Sequence, residues 1–323
     1  YKRQHQVGRI QDDVNRIKVH HAKDIAFGLV VADLGSRGEQ ADLGRCVPVS
    51  DRRADSLDDI VGGAKEYRVV LQLSSAMEDA ARYLWRLPPG ADPDRIRSLK
   101  NIEDFVAERI RLADRGSDRQ TLWIDAYLNI AHSPEAAERI GAWLQPGDAV
   151  SVHLDQDRRW NAVVTLNALG AADGEELWRR ELTSDPSDNG RRKSLAAEAA
   201  RPEEGNKRSW LDRIRDPAAD LSLARRRAVM WNLLPPNQYA LQAALFADIL
   251  GSLPRMGEQH EDAFLSSYGA MIPKLCREES VSRLAQAVEN HGDINPILLR
   301  ALKVAHQEDA RCLRMAAFSV PGR

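Results

Sequence analysis

Few residues in this sequence combine the types and spacing that chemistry requires. The stretch DQDRRWNAVVTLNALGAADGEELWRREL, residues 155–182, is the densest: an acidic start, then Arg158, Arg159 and Trp160, an apolar run, an Ala-Asp-Gly break, and a second tryptophan at 178. A guanidinium can receive a carboxylate through two parallel N–H donors, so Arg158, Arg159 and Trp160 are the candidate contacts for a peptide substrate. Arg159 stands out because its helical angle places it between Val163 and Leu166, away from the polar stripe of Arg158, Asn161 and Thr165. The competing reading is structural. Asp155, four residues before Arg159, can hold it as a helix-end salt bridge, and the tryptophans can pack one repeat against the next.

Other constellations carry less. His260-Glu261-Asp262-Ala263-Phe264 begins like a zinc-protease H-E-x-x-H but lacks the second histidine that would put two imidazoles one turn apart on a metal, and reads as a solvated helix start. His306, Asp309 and Cys312 fall at helical i, i+3, i+6 spacing; a metal would need further ligands from elsewhere, and the polarity of a surface helix explains them more simply. His20-His21 stands in an unpatterned segment. There is no G-x-S-x-G, P-loop or G-x-G-x-x-G ahead of a helix, so nucleophile-elbow and phosphate-cradle chemistry have no residues to stand on. The consecutive Arg225, Arg226 and Arg227 are splayed by a helix and predict a solvated face with local acid partners. SYGAMIP, 267–273, sits in a helical pattern without the glutamate that a peptide-amine loop would use. No catalytic residue, metal ligand or cofactor site is assigned within this chain.

The elements that would position these residues are helices. From residue 97 onward, starts recur at short intervals and each has a cap. Ser117 with Gln120 and Asp173 with Glu176 have capping-box spacing, and Ser133-Pro134 and Asn295-Pro296 place a capping side chain before a first-turn proline. Further starts fall near Asp155, Pro186, Pro202, Asp220, Asn237, Glu258 and Ser280, about eleven helices in all, several paired at spacings near the 40 residues of helical repeats. In the 155–169 helix, Trp160, Val163, Val164 and Asn167 share one face, while Ala162, Leu166 and Leu169 share nearly the opposite one. A helix apolar on two sides is packed between neighbours. The fold class is mainly α, an α-solenoid of antiparallel HEAT-like helix pairs. Residues 1–90 form a separate, poorly patterned segment with strand-like runs at 25–35 (IAFGLVVADLG) and 67–75 (YRVVLQLSS). LPPGADPDRI, 87–96, marks a boundary ahead of a helical-repeat domain over 91–323.

Composition bounds the partners. The chain has 323 residues, 43% of them hydrophobic, and no apolar run long enough for a membrane span. Lys plus Arg (46) nearly balances Asp plus Glu (48), which implies neither nucleic acid nor an anionic membrane as partner. Cys46, Cys276 and Cys312 lie far apart with no C-x-x-C, which predicts free thiols and a reducing compartment, taken here as cytoplasmic. No signal-peptide pattern is visible, and the start at Tyr1 instead of Met predicts a fragment of a longer polypeptide.

In succession, GSDRQTLWIDAYLNIAHSPEAAERIGAWL (116–144), DQDRRWNAVVTLNALGAADGEE (from 155), RELTSDPSDNGRRKSLAAEAARPEEGNKRSW (180–210), SSYGAMIPKLCREESVSRLAQAV and ALKVAHQEDARCLRM resemble the C-terminal helical region of zinc aminopeptidases of the aminopeptidase N (alanyl aminopeptidase) family, over about residues 97–318. The resemblance implies a bowl of helix pairs closing over a separate thermolysin-like domain. That domain would hold the zinc, the H-E-x-x-H and the loop that reads a free amine, none of which this chain contains. It also implies a role: walling the substrate chamber, limiting access to short peptides and contacting the distal part of the peptide. The expected partners are a peptide substrate and the missing catalytic domain of the same polypeptide, and zinc is expected only in the full-length enzyme. Two alternatives stay open: a free-standing helical-repeat scaffold binding a protein or peptide on its concave face, and a metal-binding helical protein using His306 and Cys312.

Overall fold

A computed structural model describes residues 57–90, 94–145, 152–290 and 292–318, with side chains from 70 to 316. The described residues form thirteen helices and no strand: α1 (Leu57–Arg86), α2 (Arg95–Leu112), α3 (Asp118–Ile130), α4 (Pro134–Trp143), α5 (Gln156–Leu169), α6 (Gly174–Ser184), α7 (Asp188–Ala200), α8 (Glu204–Arg215), α9 (Leu223–Asn232), α10 (Tyr239–Gln259), α11 (Asp262–Ala270), α12 (Glu278–Asn290) and α13 (Pro296–Phe318).

Caps decide most starts. Ser117, Ser133, Asp155, Ser187 and Ser222 each accept a backbone N–H from the first turn of the helix they precede, satisfying donors that the helix itself leaves free. At α3 the expected capping box is altered, because the Gln120 side chain accepts from Gly116 N instead of Ser117 N. Asp173 precedes α6 but makes no side-chain cap bond. The start expected near Glu258 lies inside α10, and the next helix begins at Asp262 after His260 and Glu261 turn extended.

The helices stack in alternation. The odd-numbered helices form a continuous row, each touching the next, and α2, α4, α6, α8 and α12 pack mainly on that row. Two hydrophobic clusters fill the space between: one built mostly from α1 to α6 around Trp123, Tyr127, Trp160 and Leu166, the other from α7 to α13 around Trp210, Ile249, Leu253 and Leu265. α5 is buried on both sides as its sequence requires, with Trp160, Ala162, Val163, Leu166 and Asn167 all enclosed.

Two expectations are overturned. The strand-like run 67–75 lies within the 30-residue helix α1. The run is too short to set the element; the enclosed residues of α1 include Ser74, Met77, Ala81 and Leu84, which recur every three or four positions on a helix packed against α3. The run at 25–35 and His20-His21 lie outside the described residues. Cys276 and Cys312 are not free thiols but a disulfide, because the loop after α11 lies beside α13 and brings their Cα atoms to 5.3 Å despite 36 residues of separation. The ground for a reducing compartment goes with them.

Candidate functional site

Arg158, Arg159 and Trp160 each hold a carboxylate, and each carboxylate comes from a different place. Arg158 donates through Nε (2.9 Å) and Nη2 (2.7 Å) to Asp125 of α3, and through Nη1 to Asp155. Arg159 donates through Nε (3.0 Å) and Nη2 (2.7 Å) to Glu181 of α6, which also accepts from Gln156. The fully buried Trp160 donates its indole N–H to Asp185, 2.9 Å away, just past α6. The expected Asp155–Arg159 pair is therefore replaced: Asp155 caps α5 and pairs with Arg158, while Arg159 turns toward α6. The reason is the position of Glu181, a carboxylate only 2% exposed that would have Gln156 but no cation beside it if Arg159 faced elsewhere. Three consecutive side chains thus fasten α5 to α3 and to α6 with the turn that follows it. Hydrogen bonds from Ser187 and Trp160 hold the Asp185 carboxyl below its ordinary range, and the bond that Arg158 donates to Asp125 raises its guanidinium further.

The α3–α5 contact is one of a series. Glu78 accepts from Asn129 (α1–α3), Asn161 from Lys193 and Asp157 from Asn189 (α5–α7), Asp188 from Arg225 (α7–α9), Ala263 O from Arg227 (α9–α11), and Asp262 from Asn295, the residue before α13. Every neighbouring pair in the row is tied by at least one polar bond. A final link joins the ends, with Tyr83 of α1 donating to Cys312 O of α13 (2.7 Å) and Arg86 lying 3.5 Å from Glu308.

Several charges that sequence reasoning placed at the surface are buried. Arg226, in the expected solvated triplet, is 7% exposed and donates to four backbone carbonyls, Ile214, Asp216, Ala219 and Leu221, closing the C-terminus of α8 and the loop after it. Only Arg225 takes an acid partner. His260 stacks on Phe264 and meets Arg215 O at 3.0 Å. Asp309 and Cys312, read as surface polarity, are enclosed: Asp309 accepts from Cys276 N and Ser280 Oγ, both at 2.5 Å. A bridged sulfur and a carboxylate already occupied by two donors do not fit a metal with His306, and among the described residues no three His, Cys, Asp or Glu side chains gather as ligands.

Sequence reasoning missed three further buried groups. Glu103 is fully enclosed in α2; burial alone would raise its pKa, but hydrogen bonds from His132 and Ser133 bring it down to about 2. Lys207 is fully enclosed in α8 with its Nζ 2.8 Å from Ala199 O, and desolvation brings it down to about 7. Arg215 pairs with Asp248 and donates to Tyr268 O–H at 2.6 Å, which in turn meets Ser252 at 2.7 Å. The stripe of buried residues at 99, 102, 103, 106 and 110 was the available signal for Glu103, since a carboxylate on the apolar arc of a helix must find donors.

Fold and site together define a helical array whose buried and half-buried charges join helices and close loops, with no catalytic constellation among the described residues. A family model described as the ERAP1-like C-terminal domain matches residues 56–308, and the chain belongs to that family. Over 147 residues it is 30% identical to the aminopeptidase N of Streptomyces lividans; the alignment covers 45% of this chain and 17% of that protein. The chain thus corresponds to a small part of the curated relative it matches.

Proposed function

We propose that this chain is the non-catalytic C-terminal domain of a zinc-dependent aminopeptidase, walling the chamber in which N-terminal residues are removed from peptides and contacting the distal part of the peptide. The observation that carries the reading is the family match over 56–308 on an array whose described elements are all helices. A domain of this kind has walls to offer and no reaction centre. The zinc, its ligands and the residue that activates water belong to the remainder of the polypeptide. Bound there, the metal would polarise the scissile carbonyl and supply the hydroxide-like nucleophile.

Arg158, Arg159 and Trp160 remain the candidates for peptide contact, Arg158 first. It lies on the polar stripe of α5, its side chain is 23% exposed, and its partner Asp125 is itself 38% exposed, so a peptide carboxylate can compete for the guanidinium. Arg159 and Trp160 hold buried or capped partners and act by fixing the register of α5.

The test pairs this chain in trans with the catalytic portion of the Streptomyces lividans aminopeptidase deprived of the region that aligns here. Expected are association and recovered cleavage of peptides, with no release of 4-nitroaniline from alanyl-4-nitroanilide by this chain alone. Zinc-dependent release by the isolated chain, abolished by a chelator, would overturn the proposal, as would a failure to associate.

A further inference from the structure

The two ends of the odd-numbered row meet at one residue. Cys312, on α13, accepts the Tyr83 hydroxyl of α1 through its carbonyl and is joined through sulfur to Cys276 in the loop after α11. Cys276 is the one non-glycine residue among those described with a left-handed backbone (φ 54°), a conformation that side-chain-bearing residues seldom hold without a restraint. Its N–H is fixed on Asp309, one turn before Cys312 on α13, and Asp309 also accepts from Ser280 at the start of α12. Glu308, the residue before Asp309, faces Arg86 of α1. The packing agrees: although both cysteines belong to the C-terminal half, both lie in the hydrophobic cluster built by α1 to α6, with Ala316 against it.

We propose that the Cys276–Cys312 disulfide is a redox-controlled clasp that pins the last helix of the row to the loop after α11 and so keeps it seated against the first. Lys274 lies among Arg82, Arg86, Glu308 and Asp309, but Arg82 is already paired with Asp79 of its own helix, so few charges are left to bind across the seam. Arg86–Glu308 at 3.5 Å is a partly exposed pair of the kind that contributes little. What remains across the seam is one tyrosine hydrogen bond and the apolar contact; the covalent link acts from behind, because by closing a loop of 36 residues it removes many arrangements of α13 that would leave α1.

Opening requires a dithiol reductant. One thiolate of the dithiol attacks a cysteine sulfur, the other cysteine leaves as thiolate, and the second thiol of the dithiol displaces the mixed disulfide. Two cysteine thiols and one oxidised dithiol result, with the two protons passing to the cysteines. Both cysteines are 2% exposed or less, so exchange waits on local opening of the seam and the clasped state persists through brief exposure to reductant.

The test is amide hydrogen exchange on the full chain carrying Cys46→Ser, before and after dithiothreitol, alongside Cys276→Ser/Cys312→Ser. Thiol titration in denaturant should find none before reduction and two after. On reduction, exchange in α13 and in residues 79–86 of α1 should accelerate at least about tenfold, while α5, α7 and α9 hold their rates. The double variant should match the reduced protein, and Tyr83→Phe should accelerate the same amides by a smaller factor with the disulfide intact. Two free thiols in protein isolated without reductant would overturn the proposal. So would unchanged exchange at the seam, or equal acceleration throughout the array; if the double variant does not fold, the reduced parent chain decides alone.

Discussion

Lys207 offers a prediction that can be worked through from its surroundings. It stands in the first turns of α8 with its side chain fully enclosed, beside Trp210 and Leu211, and its Nζ reaches only Ala199 O at the end of α7. Desolvation brings its pKa from a lysine's ordinary 10.5 to about 7, with Glu203 opposing in part. The folded value lies below the unfolded one, so between pH 7 and 10.5 the unfolded chain binds a proton that the folded chain does not. Stability contributed by this group therefore rises with pH through that window and is lowest below it. At 1.36 kcal/mol per unit, the charged amine costs the fold at most about 4 kcal/mol at pH 7, and about 2 kcal/mol of that is relieved by pH 9. Lys207→Met removes the titration while keeping the volume of the buried stem. The substitution also deprives Ala199 O of a donor, at about 1 kcal/mol, but that loss does not depend on pH. Urea unfolding of both proteins at pH 6, 7, 8 and 9, followed by tryptophan fluorescence, gives the difference in stability at each pH. The advantage of Lys207→Met over the parent should shrink by about 2 kcal/mol between pH 7 and 9. A difference that stays constant to within about 0.5 kcal/mol would refute the reasoning, since only a titrating group can make the difference move.

Two further outcomes are expected. Glu103, held at about 2, has a folded pKa below its unfolded 4.5, so its contribution is complete above pH 4.5 and lost as pH falls toward 2; Glu103→Gln should cost on the order of 2 kcal/mol at pH 7 after allowing for solvent screening, and chemical denaturation should show that gap closing through this acid window. Gly190→Ala should destabilise the chain by more than about 2 kcal/mol and lower its thermal midpoint, because a Cβ there would sit 2.1 Å from the Asp185 carbonyl oxygen, in the turn whose side chain holds Trp160.

Much of the architecture was legible in the sequence because helix starts are local. A serine or aspartate two or three residues ahead of the N–H it accepts needs no distant partner, and Ser117, Ser133 and Asp155 cap where their spacing says they should. The two-sided apolar pattern of α5 likewise called for neighbours on both faces, and it has them. Local pattern misled where the run was short. Residues 67–75 read like a strand, but a helix of 30 residues absorbs one such segment when its remaining apolar positions recur every three or four.

Partnership was where the sequence fell silent. Asp155 and Glu181 are both within reach of an arginine at 159, and only the placement of α6 against α5 assigns Glu181 to it and leaves Asp155 to Arg158. Arg226 looks like its neighbours in the chain, yet four carbonyls converge on it because α8 ends beside α9. The cysteines are the plainest case. Spacing of 36 residues carries no information about distance once the chain turns back, and it is the meeting of the row's two ends that sets Cys276 beside Cys312. The sequence by itself determined that the chain is an array of capped helices and which faces are apolar, since both are written in intervals of three and four residues. The tertiary structure alone decided which charge neutralises which, and where the array closes, since those depend on residues that approach each other only after the helices have stacked.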